Sequence, residues 1–372
     1  MVDALKKLDK KFLIIAGGLI LIPIMLIIFL AIIQGCGNRK MTHQKYEQQM
    51  ILAAQKYFED NDKMPKEESG LATVKLESLV SGGYVKSTEK ALEDISCNGD
   101  VTVRRNGSTI ELNGEGFLNY TVNLVCDEYK TVHLIDKITS NVVTTESGLY
   151  LINDEYIFRG NKSKNYINVF GVSYRIMSVD KNGIIKLVKS EPELSSRIWD
   201  NKFNVEVNHS DGKNIYKDSA ILNYLLNDYN NSKKISKETK KHIVSYDVCI
   251  GKRSSKDTSI NKTIDCSETL PKQVISLMNV SDFAMASTDP DCNSTVSRSC
   301  RNYNYLTSVA ASTWTMNVVN ENTYEVFLIG DGLSMHQSAN SYNEYNIVIY
   351  IDGNELYTTG SGSVNDPYVI GE

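Results

Sequence analysis

An uncharged apolar run near the N-terminus constrains this chain more than any other feature. Residues 12–33 have the sequence FLIIAGGLILIPIMLIIFLAII, without a single charged side chain. About 20 such residues in a helix that rises about 1.5 Å per residue cross a hydrocarbon core of about 30 Å. The sequence therefore predicts one transmembrane helix over residues 12–33.

The charges that flank this run predict its orientation. Four lysines lie within residues 1–11, whereas Arg39 and Lys40 are the nearest basic residues after the run. Basic residues are enriched on the cytoplasmic side of membrane helices. We therefore predict a single-pass cell-membrane protein with a cytoplasmic basic stub at residues 1–11, an N-terminus in the cytoplasm and extracellular C-terminal domains.

Two forms of N-terminal processing stay open. A cleaved signal peptide usually has an apolar core of about 7 to 15 residues, which is shorter than this run. The segment Ile33-Gln34-Gly35-Cys36 loosely resembles a bacterial lipoprotein cleavage site. Gln34 fits such a site poorly, so a free cysteine at the helix end is the favoured interpretation.

The cysteines agree with an extracellular location. Cys36 lies just after the apolar run, and the other six of the seven cysteines lie farther along the chain as neighbouring pairs. Because disulfides form in oxidising compartments, we expect all six to be paired. The most local pairing is Cys97 with Cys126, Cys249 with Cys266, and Cys292 with Cys300, although the sequence alone leaves the connectivity open. A zinc site is disfavoured because no CxxC motif and no nearby histidine accompany them.

Residues 41–135 contain the pattern of a small helix-and-sheet domain. Thr42 is placed to cap an amphipathic helix that extends to about Asn61, and a second short helix precedes Gly82. Strand-like alternation follows at residues 101–104, 109–112 and 119–125.

This order of elements resembles the pilin and pseudopilin family. The segments AAQKYFEDND, MPK and LESLVSGGYVK carry the resemblance. It implies a pilin-like stalk domain at residues 41–135 and filament components as partners. The family's leader, with a glycine before the apolar run and a glutamate five residues into it, is not found here. A stalk that only lifts the distal domain off the membrane is the alternative.

The distal region combines strands with helices. A hairpin is predicted around Asp180 to Gly183, Asp218 or Ser219 is placed to begin a helix, and Ser236 is placed to begin a second one. Further strands are expected at residues 150–152, 156–158, 274–278, 326–329 and 346–351. Overall the predicted fold class is α+β: a transmembrane helix, a small pilin-like helix-plus-antiparallel-sheet domain, and a larger α+β domain.

The distal region also resembles a family of uncharacterised bacterial surface domains related to the C-type-lectin-like and formylglycine-enzyme-like fold. The segments YINVFGVSYRIMSVDKNGIIKLV, NIYKDSAILNYLLNDYNN, LMNVSDFAMAS and GSGSVNDPYVI carry the resemblance. It implies a lectin-like surface domain at residues 148–372. In relatives the position of Trp314 lies within a longer aromatic and arginine-containing motif, whereas here it is followed only by Thr-Met.

No catalytic motif accompanies these domains. The five histidines are scattered without an HExxH pair, and the sequence has neither a GxSxG elbow nor a phosphate-binding glycine loop. The carboxylates of Asp282, Asp289 and Asp291 could bind calcium, but a solvated, disulfide-pinned loop is the favoured interpretation. Trp314 is a candidate for ligand stacking, although tryptophans more often serve the core. We expect no other cofactor.

These observations predict a non-enzymatic, membrane-anchored surface protein that contacts a glycan or protein partner. The net charge of −5 argues against nucleic acid as a partner. One alternative is a minor pilin or pseudopilin of a secretion or competence apparatus. Another is a diverged ectoenzyme of the formylglycine-enzyme-like fold, in which Cys292 and Cys300 would react.

Overall fold

The computed structural model describes most of the chain that follows the apolar run. The described residues are 41–92, 96–107, 116–201, 214–257, 259–260, 262–289, 304–307, 312–330 and 333–371. The predicted basic stub, the apolar run at 12–33, the predicted strand at 109–112 and the cysteines at 36, 292 and 300 lie outside them.

The first described region is a long helix packed on a three-stranded antiparallel sheet of order β1-β2-β3. Its helices are α1 (His43–Asp60), α2 (Leu76–Ser81) and α3 (Thr88–Ala91). Its strands are β1 (Leu71–Lys75), β2 (Cys97–Asn106) and β3 (Phe117–Cys126). We call residues 41–126 the helix–sheet unit.

Capping and one apolar face explain why α1 forms. Thr42 Oγ1 accepts a hydrogen bond of 3.3 Å from the Lys45 backbone N–H, as the sequence predicts. Tyr46, Met50 and Phe58 recur at helical spacing and are buried against the sheet. The predicted amphipathic helix is therefore confirmed.

Two of the three predicted disulfides are confirmed. Cys97 and Cys126 lie directly opposite each other at the end of the β2–β3 ladder and are bonded. Cys249 and Cys266 form the second disulfide, in the distal region. Each bond joins neighbours among the cysteines, so the local pairing is the correct one for these four.

Loss of the first disulfide should destabilise the protein measurably. We expect the double change Cys97→Ala and Cys126→Ala to lower the free energy of unfolding by about 2–4 kcal/mol, because the unfolded chain regains the freedom of a closed loop. Urea unfolding followed by circular dichroism measures the loss. The matched control is Cys36→Ala, which removes a cysteine but neither described disulfide. Equal midpoints for the double variant and the control would contradict the prediction.

The distal region consists mainly of strands joined by short helices. Its helices are α4 (Leu134–Thr139), α5 (Ala220–Asn230), α6 (Lys237–His242) and α7 (Val280–Met285), with short 3-10 helices at Tyr216–Asp218 and Asp265–Ser267. Its strands begin with β4 (Gly148–Ile152), β5 (Glu155–Arg159), β6 (Tyr166–Val169), β7 (Val172–Val179), β8 (Ile184–Lys189), β9 (Glu193–Arg197), β10 (Tyr246–Cys249) and β11 (Thr269–Gln273). They continue with β12 (Thr313–Val318), β13 (Glu325–Gly330), β14 (Leu333–Ser338), β15 (Asn343–Tyr345), β16 (Val348–Asp352), β17 (Tyr357–Thr359) and β18 (Tyr368–Ile370).

These strands form two larger sheets and one separate two-stranded sheet. The eight-stranded sheet has the path β16-β8-β7-β6-β18-β17, with β5 beside β7 and β4 beside β5. The five-stranded sheet has the order β14-β13-β12-β15-β9, and β10 pairs with β11. Most neighbours are antiparallel, but β18 runs parallel to β6 and β15 runs parallel to β12. The predicted hairpin at residues 180–183 is confirmed as the β7–β8 turn.

One hydrophobic core unites the two larger sheets. It contains Ile176 and Leu187 from the eight-stranded sheet, Trp314 and Leu328 from the five-stranded sheet, and Leu225 from α5. Ser219 caps α5 as predicted, since its side chain accepts a hydrogen bond from the Leu222 N–H. The core therefore fixes the sheets and α5 relative to one another.

Polar side chains join the helix–sheet unit to the distal region. Arg104 of β2 forms an ion pair of 2.8 Å with Asp352 of β16. The Glu355 carboxylate accepts a hydrogen bond of 2.6 Å from Asn119 Nδ2 of β3, and its other oxygen lies 2.8 Å from His242 Nδ1 of α6. The regions predicted as a stalk and a surface domain are thus in direct contact.

The predicted fold class is wrong as stated. The described residues are predominantly sheet, and α2, α4, α6 and α7 each have only six residues. None of the helices in the described part of the chain is long and apolar enough to cross a membrane. The predicted strand at 274–278 is a buried segment with single bridges at Ser276 and Met278. The mixture of helices and strands itself agrees with the α+β part of the prediction.

Candidate functional site

A cleft of about 300 Å³ opens at one side of the distal region. Two hairpin turns, β4–β5 and β7–β8, line one side of it. The Cys249–Cys266 disulfide lines it as well, and the N-terminus of α7 contributes Asn279, Ser281 and Asp282. The cleft therefore joins segments that are far apart in the sequence but are held by sheet pairing and a covalent bond.

The conformation of each hairpin turn follows from its own residues. Asn153 and Asp154 adopt left-handed φ angles of 49° and 63°, as a two-residue turn of a hairpin requires. In the second turn, Asp180 Oδ1 accepts hydrogen bonds from the backbone N–H groups of Asn182 (2.9 Å) and Ile184 (2.8 Å). This leaves the other carboxylate oxygen of Asp180 for contacts on the cleft side.

A stacked pair of tyrosines forms the aromatic part of the cleft. The rings of Tyr246 and Tyr350 are nearly parallel, with centroids 4.3 Å apart. Tyr246 donates its hydroxyl hydrogen to Asp180 Oδ2 at 3.1 Å, and Tyr350 Oη lies 3.2 Å from Ser276 Oγ. Burial raises the pKa of both phenols, and for Tyr246 the charge of Asp180 raises the pKa further. Both therefore remain neutral near pH 7, and half-buried Tyr246 keeps part of its surface open.

An ion pair lies at the base of the cleft. Lys186 Nζ of β8 is 2.5 Å from Asp282 Oδ2, and the two side chains are 11% and 3% exposed. Asp282 also accepts a hydrogen bond of 2.8 Å from the Asn279 N–H, which completes the capping box of α7. Burial alone would raise the pKa of Asp282, but the charges of Lys186 and Lys262 bring it below the ordinary value.

A second ion pair crosses the cleft wall. Lys262 contacts the carboxylate of Glu155, which lies at the start of β5. This contact joins the segment that precedes Cys266 to the first hairpin. Lys186 and Lys262 are therefore each matched by a carboxylate.

A buried polar network supports the cleft from behind. Arg253 Nη1 lies 3.3 Å from Asp265 Oδ1, and both side chains are 1% exposed. Asp265 also accepts hydrogen bonds from Asn317 Nδ2 at 2.9 Å and from the Ser281 N–H at 3.1 Å. Burial raises the pKa of Asp265 more than Arg253 lowers it. The network holds the Cys266 segment against α7.

The composition of the cleft suits a small polar molecule. Lysine ammonium groups, carboxylates and phenols face a space large enough for a small molecule. Within the described ranges, no group of three or more His, Cys, Asp and Glu side chains is arranged to hold a metal ion. The carboxylates at the base accept hydrogen bonds from lysine ammonium and backbone N–H groups, which hold them in fixed positions.

The residues predicted as a ligand or calcium loop do not lie together. Asp282 is in the cleft, where it pairs with Lys186. Trp314 of β12 is fully buried in the hydrophobic core and donates its indole N–H to the Arg197 carbonyl at 2.8 Å. Asp289 is exposed beyond α7, and Asp291 lies outside the described residues. The predicted calcium loop therefore stays a prediction, and Trp314 lies in the core.

Sequence reasoning missed most of the cleft. Asp180 and Lys186 belong to a hairpin that the sequence predicts correctly, but nothing local indicates that this turn faces Tyr246. The proximity of Tyr246 to Cys249 was the one usable signal, because the disulfide fixes that segment.

Comparisons with known proteins add no relative. The sequence matches none of the protein-family models, and searches of curated proteins and of solved structures returned no match. Any assignment of function therefore has to follow from the geometry of the cleft.

Proposed function

We propose that this protein is a non-enzymatic, surface-displayed binding protein whose cleft binds a short glycan. The arrangement of Tyr246, Asp180 and the Lys186–Asp282 pair carries this proposal. An aromatic ring offers an apolar face to a sugar ring, while neighbouring ionised groups donate to and accept from sugar hydroxyls. Sites built to hydrogen-bond hydroxyl groups discriminate strongly against ligands that lack them.

The size of the cleft supports a small ligand. Pockets for small molecules range from about 300 to 1,000 Å³, and this cleft, at about 300 Å³, is at the lower limit. Such a space suits one or two sugar units of a longer chain. A folded protein partner would need a larger contact surface, of about 800 Å² on each side.

Display outside the cytoplasm is part of the same proposal. The Cys97–Cys126 and Cys249–Cys266 disulfides support it, because disulfides persist in oxidising compartments. The second disulfide lines the cleft itself. Attachment to the cell membrane would then present the cleft to glycans at the cell surface.

Truncation of Tyr246 should weaken glycan binding. We expect the full-length protein, purified in detergent, to bind members of an immobilised glycan panel, and Tyr246→Ala to weaken that binding by about tenfold or more through loss of the ring and the phenol. Surface plasmon resonance measures the affinities. The matched control is Tyr342→Ala, which truncates a tyrosine that is 74% exposed and does not line the cleft.

Two results would count against the proposal. Absence of binding to every glycan in the panel would remove it, provided that circular dichroism shows a folded protein. Equal losses for Tyr246→Ala and Tyr342→Ala would place the binding site elsewhere on the protein.

A filament subunit is a second candidate. The packing of α1 on a three-stranded sheet favours it, together with exposed Leu52, which is 64% accessible on that helix. Filament subunits associate through apolar helix surfaces, and an exposed leucine offers such a contact. Co-purification of the protein with surface filaments would support this role, and its absence from purified filaments would exclude it.

A further inference from the structure

We infer that the cleft recognises a sugar with a free, positively charged amino group. This inference rests on the proposed function and specifies its ligand class. It follows from the charges that remain once the ion pairs inside the cleft are accounted for. A glycan of this class is one whose amino sugars are not acetylated.

The lysines at the base of the cleft do not favour an anionic ligand. Lys186 is neutralised by Asp282 and Lys262 by Glu155, each in direct contact. Arg253, behind the cleft, is neutralised by Asp265 and Asp257. None of these cations is available for an acidic sugar without breaking a contact that is at least partly buried.

The carboxylates near the opening have no such cation. Asp154 is exposed at the β4–β5 turn, and Asp180 accepts only from the Tyr246 hydroxyl and backbone N–H groups in the hydrogen bonds that involve described residues. Lys181 also lines the cleft and is exposed, as Asp154 is, so solvent and salt screen these two opposite charges alike. The half-buried Asp180 carboxylate then remains without a paired cation in the described part of the chain. The opening is therefore the part of the cleft where a ligand cation is favoured.

Tyr246 adds a second interaction for the same group. A cation over or beside an aromatic face is attracted by the electrons of the ring, and nearby carboxylates strengthen this attraction. Tyr246 holds its hydroxyl 3.1 Å from Asp180 Oδ2, so ring and carboxylate lie side by side. An ammonium group on a sugar can contact both, while the sugar ring occupies the remaining space.

Ser281, at the N-terminus of α7, adds a polar group to the wall of the cleft. The residue is fully buried, and its hydroxyl interacts with the Asp265 carboxyl and partly offsets the rise that burial causes in the pKa of that group. Ser281 therefore belongs to the buried network behind the cleft.

Three oligosaccharides of equal length separate the possibilities. The probes are fully deacetylated glucosamine oligomers, their N-acetylated counterparts, and acidic hyaluronan oligomers, each tested by calorimetry against the full-length protein at pH 6 and low salt. We expect the deacetylated oligomer to bind about tenfold more tightly than the acetylated one, and added salt to reduce this difference.

Variants that remove a negative charge test whether Asp154 and Asp180 provide the preference for a positively charged sugar. Asp154→Asn should reduce the preference for the deacetylated oligomer several-fold while leaving binding of the acetylated oligomer nearly unchanged. Asp180→Asn should also reduce this preference, and it should weaken binding of the acetylated oligomer as well, because Asp180 orients the Tyr246 hydroxyl. Asp154 is the safer variant for folding, because it is exposed on a turn. The control is Asp62→Asn, which removes a carboxylate that is 86% exposed and does not line the cleft.

The outcomes distinguish the inference from the proposed function. Equal or tighter binding of the acetylated or acidic oligomer would overturn the inference but leave glycan binding intact. Binding of no oligosaccharide in this set or in the wider panel would overturn both. A preference that Asp154→Asn, Asp180→Asn and Asp62→Asn all leave unchanged would also overturn the inference.

Discussion

Replacement of Trp314 by alanine should lower the free energy of unfolding by about 3–5 kcal/mol. The Trp314 indole is fully buried in β12, within the core that unites the two larger sheets. Truncation removes most of its apolar contacts and leaves a cavity in a close-packed interior. It also leaves the Arg197 carbonyl without the 2.8 Å indole hydrogen bond. Urea unfolding followed by far-ultraviolet circular dichroism measures the change.

Two comparison variants separate the contribution of the indole hydrogen bond from that of the buried ring. Trp314→Phe keeps an aromatic ring but removes the indole donor, so we expect a smaller loss, of which about 1–3 kcal/mol comes from the unsatisfied carbonyl. Tyr342→Ala, at an exposed position, should change stability by less than about 0.5 kcal/mol. A loss below about 1 kcal/mol for Trp314→Ala would contradict the core role and would revive a ligand-contact role for this residue.

Removal of the Asp282 charge should have the second largest effect. We expect Asp282→Asn to lower the free energy of unfolding by about 3 kcal/mol at neutral pH, because Lys186 then remains unpaired at a site where it is only 11% exposed. Asparagine keeps the size of the side chain and an oxygen that can cap α7. The loss therefore reports mainly the missing charge, and denaturant titration measures it.

The effect of Asp282→Asn should depend on pH in a defined direction. Lys186 and Lys262 outweigh burial and hold the pKa of Asp282 in the folded protein below its ordinary value of 3.8. A carboxyl group with a lowered pKa contributes stability above its unfolded pKa and loses it as pH falls through the folded pKa. The stability difference between the wild type and Asp282→Asn should thus be constant above about pH 5 and shrink below about pH 4.

A double variant provides the control for this pair. Lys186→Met combined with Asp282→Asn leaves no unpaired charge, so it should be more stable than Asp282→Asn alone. The same stability for the double and the single variant would show that the unpaired lysine is not the cause. A difference from wild type that grows in acid would contradict the direction of the pKa shift.

The features that the sequence predicts correctly are local ones. The start of α1 at Thr42 and the β7–β8 turn depend on a few adjacent residues, whose preferences are known from chemistry. Each of the two disulfides joins two cysteines with no other cysteine between them in the sequence. The prediction that paired each cysteine with its nearest neighbour was therefore correct for these four. Helix caps, turns and local disulfides can therefore be predicted without knowledge of the rest of the fold.

The cleft was not predictable because its parts meet only through distant strand pairing. Asp180 and Tyr246 are 66 residues apart, and Lys186 and Asp282 are 96 residues apart. Which strands become neighbours depends on packing over the whole domain, and a single sequence carries little information about it. Trp314 shows the same limit, because only the assembled core reveals that its ring is inaccessible to a ligand.

The position of β18 has a consequence for biosynthesis. This strand lies between β6 and β17 inside the eight-stranded sheet and pairs in parallel with β6, about 200 residues earlier in the chain. Until residue 370 has been synthesised and has paired, β6 exposes an open edge on which another chain can add a strand. Release of an incomplete chain before that point would therefore favour aggregation, and a chaperone that shields β6 would favour correct folding.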